Sequence, residues 1–187
     1  MAIFAICARS IRFSLGSFTR DQRGVSAVEF AFLLPLMVTL YLGTAEVSQA
    51  ISAGRKATMV ARTVADLVSQ ATNVTNSDMT NIMNAGVAVI YPYATAKLKV
   101  TVTSVNIDAN SKATVTWSDT YNGTARSVGS TVSPPSAVVV PNTTLIWSEV
   151  SYAYKPTVGY IITGTLNLKD QLYMAPRLST AVTRSAN

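Results

Sequence analysis

Sixteen consecutive residues without a charge, Phe30 to Ala45 (FAFLLPLMVTLYLGTA), constrain this chain more than any other feature. A hydrocarbon core takes about 20 residues of helix. Starting at Val25 supplies that length but brings Glu29 into the apolar stretch. A run of this size also suits a buried core helix or the apolar part of a signal peptide. The flanks favour a membrane segment. Arg9, Arg12, Arg20 and Arg23 precede the run, opposed only by Asp21, and the first cations after it are Arg55 and Lys56. Cations mark the cytoplasmic flank of a membrane helix, so residues 1–24 are expected inside and the remainder outside.

Composition agrees. Charged residues make up 13% of the 187, and mean hydropathy is +0.30. Soluble chains carry about 25% charge. The net charge of +6 does not gather into one patch, so no nucleic-acid partner is expected. The chain has no histidine and one cysteine, Cys7. That excludes an intramolecular disulfide, a His/Cys metal site, and nucleophile systems that need a histidine base. No apolar leader precedes Cys7 as a lipidation signal requires, so it reads as inert. Asp119, Glu149 and Asp170 have no spacing that marks a catalytic pair. Neither an enzyme nor a cofactor is expected.

The helical pattern continues past the apolar run. Val47, Ile51, Val60, Val64 and Leu67–Val68 recur at three- and four-residue spacing, with Gln49, Ser52, Arg55, Arg62 and Asp66 between them. No proline interrupts 36–91. One helix over 25–70 is expected, about 70 Å long at 1.5 Å per residue. Its part over 25–46 would cross the membrane, and its part over 47–70 is amphipathic and needs a partner surface. Pro35 should remove one backbone hydrogen bond and kink the helix.

Residues 71–80 read as a polar linker, with Ser77 or Asp78 capping a short helix over 79–90 that Pro92 ends. The pattern then becomes β. Leu98, Val100 and Val102 alternate with polar residues, and Val105 and Ile107 continue out of phase, which suggests a bulge near Ser104. Asp108-Ala-Asn-Ser is a turn, and Ala113, Val115 and Trp117 alternate again. Residues 122–143 are loop-rich, with a break at Pro134-Pro135. Leu145–Tyr154 is another strand, 160–168 a fourth and 171–174 a short last one. The expected class is α+β: a long N-terminal membrane-spanning helix running into a small extracytoplasmic domain, residues 71–187, whose antiparallel sheet packs on the helix's outer half.

The segment RGVSAVEF carries the sharpest chemistry. A carboxylate in a membrane segment is unfavourable by about 2.5–3.5 kcal/mol at the centre, so Glu29 asks for a function or for a place at the interface. Cleavage after Gly24 would create a partner, the new amine of Val25, one helical turn from Glu29 on the same face.

The stretch RGVSAVEFAFLLPLMVTLYLG resembles the N-terminus of TadE-like pseudopilins of tight-adherence (Flp-type) pilus systems. A second stretch, Tyr152-Ala-Tyr-Lys-Pro156 with Leu166-Asn-Leu-Lys-Asp170 and Tyr173-Met-Ala-Pro-Arg177-Leu178, is similar to that family's C-terminal pattern. The resemblance implies processing between Gly24 and Val25 by a prepilin peptidase and an assembly role for Glu29. It further implies residence in the bacterial inner membrane, other pilins as partners, and service as a minor pilin in attachment or biofilm formation. The middle, roughly 71–145, matches nothing in the family.

Other features compete with that reading. Gly43-Thr-Ala45 could be an ordinary signal-peptidase site, though Glu29 interrupts the apolar region and the helical pattern runs past Ala45. Gly43, Ala45 and Gly54 could let membrane helices pack closely. Trp117, Trp147, Tyr152, Tyr154, Tyr160 and Tyr173 could form a binding face but fit core packing better. The sequons at Asn73, Asn122 and Asn142 read as chance matches in loops. The rival function is a membrane-tethered binding or adhesin module with an uncleaved anchor.

Overall fold

The computed structural model describes residues 23–156, 159 and 161–186. The expected basic leader, Cys7 and Tyr160 lie outside the described residues. The chain divides into two compact units, residues 1–44 and 45–187.

Helix α1, Arg23–Ser69, is 47 residues long and runs unbroken through Pro35. In the first unit its apolar side chains are open on all sides, Phe32 and Tyr41 most of all. Among the described residues this is the one helix long and apolar enough to cross a membrane, with a mean hydropathy of 1.9 over its most apolar window. A helix apolar all round has no polar face to give to water. Its hydroxyls turn back on the helix: Thr39 Oγ1 donates to Pro35 O and Thr44 Oγ1 to Leu40 O, each at 2.8 Å. Hydroxyls satisfied in this way suit a segment surrounded by hydrocarbon.

In the second unit α1 buries a narrow stripe of small residues. Ala53, Ala57, Val60, Ala61, Val64, Ala65 and Val68 are almost fully enclosed. Val47 and Ile51, expected on this face, are about half exposed instead. The expected Val60, Val64 and Val68 do lie on the buried side, joined there by alanines that permit close approach.

Residues 71–80 are not a plain linker. Strand β1, Asn73–Val74, leads into helix α2, Asn76–Val89. Thr75, rather than Ser77 or Asp78, is the N-cap. Its side chain accepts from Asp78 N, and Asp78 Oδ2 accepts from Thr75 N at 3.0 Å, a reciprocal capping box. Asp78 thus serves from the third helical position.

Strands β2 (Leu98–Ile107), β3 (Ala113–Tyr121), β4 (Thr131–Val132), β5 (Thr143–Tyr154) and β6 (Leu166–Met174) form an antiparallel sheet in the order β4-β3-β2-β5-β6. Val100, Val102, Trp117, Ile146, Val150, Tyr152 and Tyr154 belong to the core that α1 and α2 share. Val105, Ile107, Leu145 and Trp147 belong to a smaller core with Val132, Val138 and Val139 of the loop-rich segment. The expected bulge is present between Ser104 and Val105 in the β2–β3 register, and the extra residue is Thr116 on β3. Strand β2 itself pairs evenly with β5, so Val105 and Ile107 change cores without β2 changing phase.

The two short strands expected at 160–168 and 171–174 are one strand, β6, paired with β5 from Leu166↔Tyr154 to Met174↔Ile146. Asp170 looks like a break in sequence, yet its carboxylate accepts a hydrogen bond from Thr58 Oγ1 of α1 and stays within the strand. Ahead of β6, Gly164 takes φ +97°, which an L side chain would resist, so strand geometry starts only after it.

The chain returns to its start. Strand β7, Thr183–Arg184, pairs in parallel with β1. Trp117 Nε1 donates to Val182 O at 2.8 Å, and Arg184 reaches Asp119 at 2.9 Å.

Candidate functional site

Gly24, Val25 and Glu29 lie in the first turns of α1, all exposed. Val25 and Glu29 are four residues apart and share a helix face. Among the described residues, no hydrogen bond or ion pair reaches the Glu29 carboxylate. A Cβ built on Gly24 meets nothing within 4 Å. Packing among the described residues therefore does not demand a glycine there. Pro35 sits ten residues beyond Val25 in the same unbroken helix. Gly43, Ala45 and Gly54 are half-buried, and Gly54 also has open space where a Cβ would stand.

Residues 24–66 match the family model described as TadE-like protein. Those residues are a TadE-like segment. No curated protein and no solved structure matches the chain. The TadE-like segment opens at Gly24, includes Glu29 and Pro35, and ends at Asp66, whose carboxylate meets Arg177 at 2.5 Å. It stops before the sheet, so the C-terminal stretch of the resemblance lies outside it. There the structure shows scaffold. Tyr152 and Tyr154 pack around Tyr93, with ring centroids 6.1 and 6.2 Å away. Arg177 N donates to Ser69 O at 2.8 Å, which closes the end of α1.

The aromatic set is mostly interior. Trp117, Trp147, Tyr152 and Tyr154 are buried and Tyr173 is half-buried, stacked on Trp147 at 5.3 Å. Burial raises the hydroxyl pKa of Tyr152, Tyr154 and Tyr173. For Tyr154 the neighbouring Tyr93 and then Glu46 add to that effect. The three acids weighed as catalytic are taken up separately: Asp119 by Arg184, Glu149 by Arg126 and Asp170 by Thr58. Among the described residues no three His, Cys, Asp or Glu gather to hold a metal ion. Asn73 lies on β1 rather than in a loop, bonded to Ser185 and Thr183, while Asn122 and Asn142 occupy left-handed turn positions.

Two features were not legible beforehand. One is an open cavity of about 750 Å³ lined by Lys99, Thr101, Ser151, Lys169 and Gln171, with the Arg126–Glu149 pair along it. The Arg126 guanidinium lies 3.8 Å from the Trp147 ring centroid. The other is Glu46, which is 4% exposed. Its Oε2 accepts from Ile161 N at 3.0 Å and Ile162 N at 2.9 Å. In sequence Glu46 only marks the end of an apolar run; its partners lie more than a hundred residues away.

Proposed function

We propose that this chain is a membrane-anchored minor pilin-like subunit that takes part in assembly of a tight-adherence pilus, and through it in surface attachment and biofilm formation. One observation carries the reading: the TadE-like segment begins at Gly24, a glycine that packing among the described residues does not need, and includes an exposed Glu29 one turn from Val25. A prepilin peptidase cleaves between Gly24 and Val25. The amine so formed pairs with Glu29, on its own chain or a neighbour's, because either charge alone in an apolar bundle is strongly unfavourable. Gly43 and Ala45 let neighbouring helices approach. The leader stays in the cytoplasm, the span sits in the inner membrane and the sheet domain lies outside. The role is structural, without catalysis.

The N-terminal mass of the protein purified from its native membrane tests this. A chain beginning at Val25 supports the proposal. A chain beginning at Glu46 indicates an ordinary signal peptide, and one beginning at Met1 an uncleaved anchor. Normal maturation of Gly24→Leu would also defeat the processing step.

A further inference from the structure

Two loops of the second unit are tied to one turn of α1. Glu46 accepts the N–H groups of Ile161 and Ile162, in the connection between β5 and β6. Three residues on, Gln49 O accepts from the hydroxyl of Tyr93 at 3.2 Å, in the segment that follows α2. Each loop leaves one large apolar side chain in the open: Ile161 is 49% exposed and Tyr91 is 78% exposed. Neither belongs to either core.

Scattered exposed apolar side chains need no explanation. These two share a position. Their loops are hydrogen-bonded to the turn Glu46–Gln49, which opens directly after the uncharged run Phe30–Ala45. A residue directly after a span lies, by chain connectivity alone, where hydrocarbon gives way to headgroups. Tyrosine is enriched at that level because its ring is apolar and its hydroxyl is wet. An acid at that level needs shielding, and the two backbone donors of Ile161 and Ile162 give it. Exposed Lys155 stands in the Ile161 loop and suits phosphate headgroups.

We infer that Tyr91 and Ile161, held to α1 through Tyr93–Gln49 and Ile162–Glu46, rest in the interfacial layer of a phospholipid bilayer, so that the domain touches the membrane at two points besides its anchor. This rests on the apolar part of α1 being a span.

Site-directed spin labelling of the full chain tests it. Cys7→Ser removes the one native thiol. Single cysteines are then placed by Tyr91→Cys, Ile161→Cys, Leu36→Cys and Val128→Cys, all at exposed positions. The labelled proteins are reconstituted in vesicles of phosphatidylethanolamine and phosphatidylglycerol. Power saturation compares accessibility to oxygen with accessibility to a water-soluble nickel chelate. The expected oxygen-to-nickel ratio is highest at 36, lowest at 128 and intermediate at both 91 and 161. Ratios at 91 and 161 equal to that at 128, with 36 in lipid, overturn the inference and leave the span intact. An aqueous reading at 36 overturns the span, and the inference with it.

Discussion

Gly86 of α2 lies so close to Val64 of α1 that a Cβ built on it would stand 2.6 Å from Val64 Cγ2, nearer than real Cβ contacts allow. Val64 is fully buried, and its branched side chain has little freedom to turn away. Alanine in mid-helix gains about 1 kcal/mol over glycine. Overpacking a tight core contact costs about 1–3 kcal/mol. The clash should win, so Gly86→Ala should lower the denaturation midpoint of the detergent-solubilised protein. Gly54→Ala, in the same assay, meets nothing within 4 Å and should raise it. Equal gains from both would show that the two helices have slack at Gly86.

The capping box sets a second expectation. Thr75→Ala removes the side-chain acceptor at the start of α2 and should cost about 1 kcal/mol. The Asp78 carboxyl is held below its ordinary 3.8 by the Thr75 backbone N–H first and the Thr75 hydroxyl second. A depressed pKa contributes stability that is present above the unfolded value and is lost as pH falls through the folded one. Wild-type stability should therefore decline below about pH 4 by a small, salt-sensitive increment that Asp78→Asn lacks. Denaturant midpoints from pH 7 to pH 2 measure it. Parallel curves for the two proteins would show that the box contributes nothing through charge.

Arg126 covers Trp147 and pairs with Glu149, all on the outer face of the sheet. The partly exposed pair contributes about 0–1 kcal/mol and the cation–π contact about 0.5–1 kcal/mol. Arg126→Met keeps much of the stem and loses both, so a fall of about 0.5–2 kcal/mol is expected. Glu149→Gln should cost less, because the guanidinium stays on the ring. A double-mutant cycle by urea denaturation separates the two contributions.

Glu29→Ala should leave insertion and folding intact and reduce assembly with pilin partners. Removing a charge from an apolar helix eases insertion by up to about 2.5–3.5 kcal/mol. Glu29→Gln keeps the size and loses the charge, and should behave like alanine if pairing with the Val25 amine is what matters. Crosslinking of each variant to the pilus machinery at matched membrane levels is the measurement. Wild-type assembly and attachment in both would remove charge pairing from the account.

Much of this architecture could be read from periodicity. The long helix is within two residues of its expected bounds at each end, because an uncharged run and a three-four repeat admit no other structure. Leu98–Val102 and Ala113–Trp117 announced a hairpin by alternation. What failed did so for local physical reasons. Val60, Val64 and Val68 of the expected stripe are buried, but Val47 and Ile51, at its start, lie off the face that the domain covers, where alanines take their place. The strand expected at 160–168 ran through Gly164, a true boundary, and stopped short of Asp170, a strand residue satisfied by a distant threonine. Within the candidate site, the spacing of Gly24, Val25 and Glu29 is local and was legible. Glu46 and the Arg126–Glu149–Trp147 cluster were not, since each depends on partners brought together only by the fold.

The pairing of β1 with β7 has a consequence for timing. Asn73 and Thr183, whose side chains bond at 2.9 Å, stand 110 residues apart. Closing a loop of that size is entropically slow, and the ribosome delivers its far end last. Until Val182 emerges, the indole N–H of Trp117 lacks its acceptor; until Arg177 does, the Ser69 carbonyl lacks its donor. The domain is thus a clasp that only residues 177–184 can fasten. For a chain of the proposed topology this is an advantage: the thread stays supple while it passes the membrane and sets only on arrival.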